Sequence, residues 1–115
     1  TVSPSARVGS GVAIMAGVVI NAAADIGDLV VVNTGASIDH DCVIGTAAHI
    51  APKSTLCGNV RVGERSFVAA GSTVIPGITI GHDTTIGAGS TVIRDIPDSV
   101  TAFGAPALPV KRNPT

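Results

Sequence analysis

Counting in sixes from Val2 gives an unbroken run of branched aliphatics: Val2, Val8, Ile14, Ile20, Ile26, Val32, Ile38, Ile44, Ile50, Leu56, Val62, Val68, Val74, Ile80, Ile86 and Val92. All sixteen are Val, Ile or Leu. The residue two before each is also constrained. From Ala6 to Ser90 it is small or Val at every hexad except that of Ile78. The residue after is often glycine, as at Gly9, Gly27, Gly45, Gly63, Gly81 and Gly87. A period of six fits no α-helix, whose apolar positions recur at three and four. It fits short strands separated by turns, with the aliphatic pointing inward and the small residue inward near the corner. Three hexads close a triangular coil of eighteen residues, and stacked coils pair as parallel strands about 4.8 Å apart. The expected fold is all-β: a parallel β-helix of about five triangular coils over residues 1–93, with residues 94–115 as a short irregular C-terminal cap and tail.

Composition agrees with such a core. The 115 residues include two aromatic side chains, Phe67 and Phe103, and no Trp or Tyr, so β-branched aliphatics must fill the centre. Seven Lys and Arg against eight Asp and Glu are scattered along the chain, which leaves no basic stripe for nucleic acid. No apolar run reaches the roughly 18 residues of a membrane span. Cys42 and Cys57, the two cysteines, do not make a disulfide scaffold, and a reduced, cytoplasmic protein is expected. The repeat begins directly at the first residues, so the first coil is expected to be uncapped, with a preceding segment or a partner covering it.

In stacked coils, residues eighteen apart lie above one another. His40 is then followed upward by Gly58, Pro76 and Arg94. Pro52 is followed by Ala70 and Ala88, His49 by Phe67 and Thr85, and Asn33 by Ala51, Ala69 and Gly87. His40 and Asp41 fall outside, at a corner. A glycine beside the imidazole leaves room and an accessible backbone, as a general base with a nearby oxyanion donor requires. His82, in Gly81-His82-Asp83, reads as an ordinary exposed turn.

The stretches Asn33 to Gly45, Ala48-His49-Ile50-Ala51-Pro52 and Leu56-Cys57-Gly58-Asn59-Val60 resemble one family. So do Val74-Ile75-Pro76-Gly77, Ile86-Gly87-Ala88-Gly89-Ser90 and Phe103-Gly104-Ala105-Pro106-Ala107. It is the hexapeptide-repeat sugar acetyltransferases of bacteria, which include sialic acid O-acetyltransferases and UDP-4-amino-sugar N-acetyltransferases. The resemblance implies a left-handed coil, acetyl-CoA as co-substrate, a sugar or nucleotide-sugar acceptor, a homotrimer and no metal. It implies His40 as catalytic base and Asp41 as its acidic partner. His49, Gly58, Ala70 and Ala88 would bind acetyl-CoA, and Asn33 would sit near the base on the substrate side. Two features depart from the family. Its usual N-terminal nucleotide-sugar-binding domain is not in these residues, and Leu108 stands where a basic residue usually follows the terminal Gly-x-Pro-Ala pattern, the nearest being Lys111 and Arg112. Two other classes remain open: a non-catalytic β-helix scaffold, and a metal enzyme like the γ-type carbonic anhydrases. The latter needs three converging ligands, and the three histidines fall in three different columns.

Overall fold

A computed structural model describes residues 1–114. The described residues form seventeen strands and no helix. Fifteen of the strands are two residues long, one per hexad, each ending on the inward aliphatic. They build three parallel faces. Face 1 holds β1 (Arg7–Val8), β4 (Asp25–Ile26), β7 (Val43–Ile44), β10 (Arg61–Val62) and β13 (Thr79–Ile80). Face 2 holds β2 (Ala13–Ile14), β5 (Val31–Val32), β8 (His49–Ile50), β11 (Phe67–Val68) and β14 (Thr85–Ile86). Face 3 holds β3 (Val19–Ile20), β6 (Ser37–Ile38), β9 (Thr55–Leu56), β12 (Thr73–Val74) and β15 (Thr91–Val92). The register is eighteen throughout, as in Phe67 opposite His49 and Thr85. This is the left-handed parallel β-helix expected.

The inward aliphatics from Ile20 to Val92 are at most 2% exposed and form one core. Those of the first coil have a coil on one side only: Val2, Val8 and Ile14 are 39%, 43% and 37% exposed. From the hexad of Val8 to that of Ile86, each corner turns through a residue with positive φ, three places after the inward aliphatic. The series runs from Gly11 and Gly17 through Ala23, Leu29, Gly35 and Asp41 to Asp83 and Gly89. Asp and Asn adopt this conformation at low cost, so Asp41 (φ 58°) and Asn59 (φ 60°) suit their corners.

The C-terminal segment is more regular than an irregular cap. After Val92 the coil contracts by two residues, so that Ile96 bridges to Ile80 and Ala102 pairs with Ile86, sixteen apart. Column arithmetic therefore ends at Val92, and Arg94 falls within the shortened corner instead of continuing the His40 column. Strand β16 (Val100–Gly104) adds to face 2 beside β14, and β17 (Ala107–Arg112) returns antiparallel to it. Ile96, Val100, Ala102 and Ala107 are buried and close that end of the core.

Candidate active site

The corner between β6 and β7 is built from residues 39–42. Ile38 fixes the chain inward. Asp39 Oδ1 then accepts the His40 N–H (2.7 Å) and Asn21 Nδ2 (2.9 Å) from the coil below. Those bonds, with Asn21 the larger cause, hold the Asp39 carboxyl below the usual range. His40 Nδ1 lies 3.0 Å from Asp41 Oδ2. A carboxylate only accepts, so Nδ1 is the donor, and in the neutral ring Nε2 is the nitrogen with the lone pair. Among the described residues nothing pairs with Nε2. The ring and the carboxylate are each just over half exposed, open to an incoming molecule.

Gly58 lies beside this ring, one coil up. A Cβ added there would run into His40 Nε2 and stand 2.6 Å from Cε1. The absence of a side chain is what allows the imidazole to lie over the backbone. The Gly58 N–H has no acceptor among the described residues, while its neighbour Asn59 N–H donates to His40 O (3.0 Å). A proton acceptor and an unpaired backbone donor therefore share one corner.

The remaining expected residues lie elsewhere on the prism. His49 faces outward from β8 on face 2, edge-on to the Phe67 ring (centroids 5.0 Å apart, 60° between planes). Asn33 Oδ1 is engaged by the Thr34 N–H, which turns its amide nitrogen toward His49 Nε2 at 3.4 Å. Ala70 and Ala88 sit one coil apart at the corner between faces 2 and 3, with no acceptor for either N–H among the described residues. Nine residues are half a coil, so one chain does not bring His40 and His49 together. His40, Asp41 and Gly58 make one cluster; Asn33, His49, Ala70 and Ala88 make a second, around the prism.

His82 is not simply solvated. It repeats the His40 arrangement at the corner between faces 1 and 2, with Nδ1 2.8 Å from Asp83 Oδ2, but its Nε2 is taken by Asp98 Oδ2 at 3.1 Å. Arg65 grips Asp83 through Nε and Nη2, both at 2.9 Å. Arg65 first and His82 second bring the Asp83 carboxyl down to about 2. A groove of about 620 Å³ runs beside this cluster along face 1, over Gly45, Gly63 and Gly81. It contains neither His40 nor His49; the glycine column creates it. The three histidines thus stand at three separate places, and among the described residues no three His, Cys, Asp or Glu converge as a metal set. The column arithmetic placed Phe67 over His49, as found, but gave Asp39 and Asn21 no part. Asp39 could have been found from its place before His40, and Asn21 from its place eighteen before Asp39.

The bacterial transferase hexapeptide family (six repeats) matches residues 41–76 and 59–94. That match, with the period, the faces and the corner histidine, likens the chain to the hexapeptide-repeat β-helix transferases of bacteria. Within that class its likeness is to the acetyltransferase part of sugar acetyltransferases. PerB from Caulobacter crescentus, solved with CoA and GDP-perosamine, is 59% identical with a TM-score of 0.95 over 96% of this chain and 53% of that one. The acetyltransferase domain of PglB from Neisseria gonorrhoeae, solved with acetyl coenzyme A, is 43% identical with a TM-score of 0.94 over 95% of this chain and 53% of that one. WeeI from Acinetobacter baumannii, 23% identical with a TM-score of 0.81 over 95% of this chain and 57% of that one, shares the fold. The chain spans about half the length of these solved relatives. No curated protein sequence matches it.

Proposed function

We propose that this β-helix transfers the acetyl group of acetyl-CoA to the amino group of a nucleotide-linked sugar. The observation that carries the reading is the corner itself: a histidine whose Nδ1 is committed to Asp41 and whose Nε2 is free, lying over Gly58 with its unpaired N–H. The likeness to PerB, with GDP-perosamine and CoA bound, supports an amine acceptor and this donor. The acceptor nitrogen attacks the thioester carbonyl carbon and a C–N bond forms. His40 Nε2 takes the amine proton, and Asp41 stabilises the imidazolium. The Gly58 N–H donates to the oxyanion. As the C–S bond breaks, the proton passes to the departing CoA sulfur. No covalent enzyme intermediate is required.

The second cluster supplies donor contacts. The unpaired N–H groups of Ala70 and Ala88, one coil apart, suit the amide carbonyls of pantetheine, and His49 with Asn33 faces the thioester end. Since one chain separates the two clusters, a complete site takes His40, Asp41 and Gly58 from one copy and the second cluster from its neighbour. A homotrimer with three such grooves satisfies this requirement. The low charge of faces 2 and 3, whose outward strand residues among β2–β15 include no Asp, Glu, Lys or Arg, suits packing between copies.

The test is thiol release from acetyl-CoA with a nucleotide-linked amino sugar as acceptor, beside the matching hydroxyl sugar, and a thermal shift with CoA. The expected result is stabilisation by CoA and release with the amine only. CoA stabilisation without release from either acceptor would instead favour the scaffold reading.

A further inference from the structure

Inside the prism, small side chains hold corner peptides in place. Cys42, Ser54 and Ser72 occupy the small inward position of their hexads and are fully buried. Cys42 Sγ donates to Cys57 O (3.1 Å) and Ser54 Oγ to Ala69 O (3.0 Å), each fifteen residues ahead and one coil up, while the one Ser72 hydroxyl proton is shared between Gly87 O (3.1 Å), fifteen ahead, and the nearer Ala69 O (2.8 Å). Those carbonyls belong to the peptides that end at Gly58, Ala70 and Ala88. In a trans peptide the N–H points away from the C=O. A bond that draws the carbonyl into the prism therefore turns the next N–H out of it. The N–H groups so presented at Gly58, Ala70 and Ala88 have no acceptor among the described residues, whereas Ser66 Oγ holds Gly81 O in the same way and the His82 N–H next to it is taken by Asp98 Oδ1 (3.0 Å).

The three peptides are not held equally. Ala69 O and Gly87 O also accept the N–H three residues on, from Ser72 and Ser90, both at 3.3 Å. Among the described residues no backbone N–H reaches Cys57 O, and the Cys42 thiol is its one partner. Burial pushes that thiol above its ordinary range, so it stays protonated and able to donate.

We propose that Cys42 is a positioning residue for acetyl transfer: through Cys57 O it fixes the peptide whose N–H, at Gly58, faces the reacting carbonyl beside His40. The proposal rests on the reading of Gly58 N–H as the oxyanion donor. It gives a buried core thiol a part in catalysis that its contacts with neighbouring aliphatics would not.

Three variants separate the hydrogen bond from the volume. Cys42→Ser keeps a donor, Cys42→Ala is smaller without one, and Cys42→Val is larger without one. Val60, one coil up in the same column, shows that valine fits such a corner. Removing a whole oxyanion donor costs about 10²–10³ in kcat. Loosening one is expected to cost about tenfold in both the Ala and Val variants, with the KM for acetyl-CoA within about twofold and the Ser variant near the starting rate. Equal kcat in all three would overturn the proposal, as would losses that follow volume alone. Crystal structures of the Ala and Val variants give an arm that needs no turnover. A rotated Cys57–Gly58 peptide is expected, and an unmoved peptide in both would also overturn the proposal. An inactive starting protein whose variants show the rotation would count against the acetyl-transfer reading alone.

Discussion

At the residue scale, two His-Asp pairs on one solenoid differ by a single contact. His40 and His82 hold the same place in their hexads, and each gives Nδ1 to the following aspartate. His82 spends Nε2 on Asp98, whereas His40 leaves Nε2 over Gly58. Gly58→Ala should therefore push the His40 ring off its position and lower kcat by about 10²-fold, since displacements of about 1 Å can cost that much. Circular dichroism should show the β-helix intact, and an unchanged kcat would contradict the close packing of ring and glycine. The other pair bears on stability. Asp83 is drawn from 3.8 down to about 2, so it binds protons more weakly folded than unfolded. Its contribution is full above about pH 4 and is lost as the pH falls toward 2. In an acid titration followed by circular dichroism, Arg65→Met should begin to lose structure at higher pH than the parent. The gap should narrow at high salt, because these groups are exposed.

At the scale of the element, the corners carry the constraints. Gly9, Gly27, Gly45, Gly63 and Gly81 stack in one column, and a Cβ on Gly45 would stand 2.6 Å from Glu64 N and 2.9 Å from Gly63 C. Backbone cannot yield as a side-chain tip does, so Gly45→Ala should destabilise by about 1–3 kcal/mol. Gly71, in the positive-φ series, has open space around it, and Gly71→Ala should cost about 1 kcal/mol through conformation alone. Thermal denaturation of the two variants checks the order. The period shows where such corners fall, because an aliphatic every sixth residue must point into the same core. It does not show why the glycine column exists, since backbone-to-backbone distance at a corner leaves no mark on hydropathy. The contraction of the coil from eighteen residues to sixteen before Ile96 and the β16–β17 hairpin were also hidden, as both begin where the repeat stops. Cys42 looked like one more small core residue, and only the direction of the Cys57 carbonyl gives it a role.

At the scale of the molecule, the sequence columns brought His40 to Gly58 correctly and also put His49 half a coil away. That separation makes the proposed site a property of the assembly. Light scattering should therefore give a trimer. Mixing unfolded His40→Ala and His49→Ala chains in equal amounts and refolding them should restore activity. With random assembly about a quarter of the grooves would draw both histidines from intact chains, by the closed cyclic arrangement of three copies. Two inactive parents that stay inactive when mixed would place both histidines in a site made by one chain, against the geometry. The most direct measurement concerns His40 itself. It is the rate of thiol release from acetyl-CoA, with a nucleotide-linked amino sugar present, for the parent and for His40→Ala. General-base help is worth about 10²–10⁴-fold, so the variant should slow by that much while still binding CoA. A His40→Ala protein that releases CoA at the parent's rate would contradict the account.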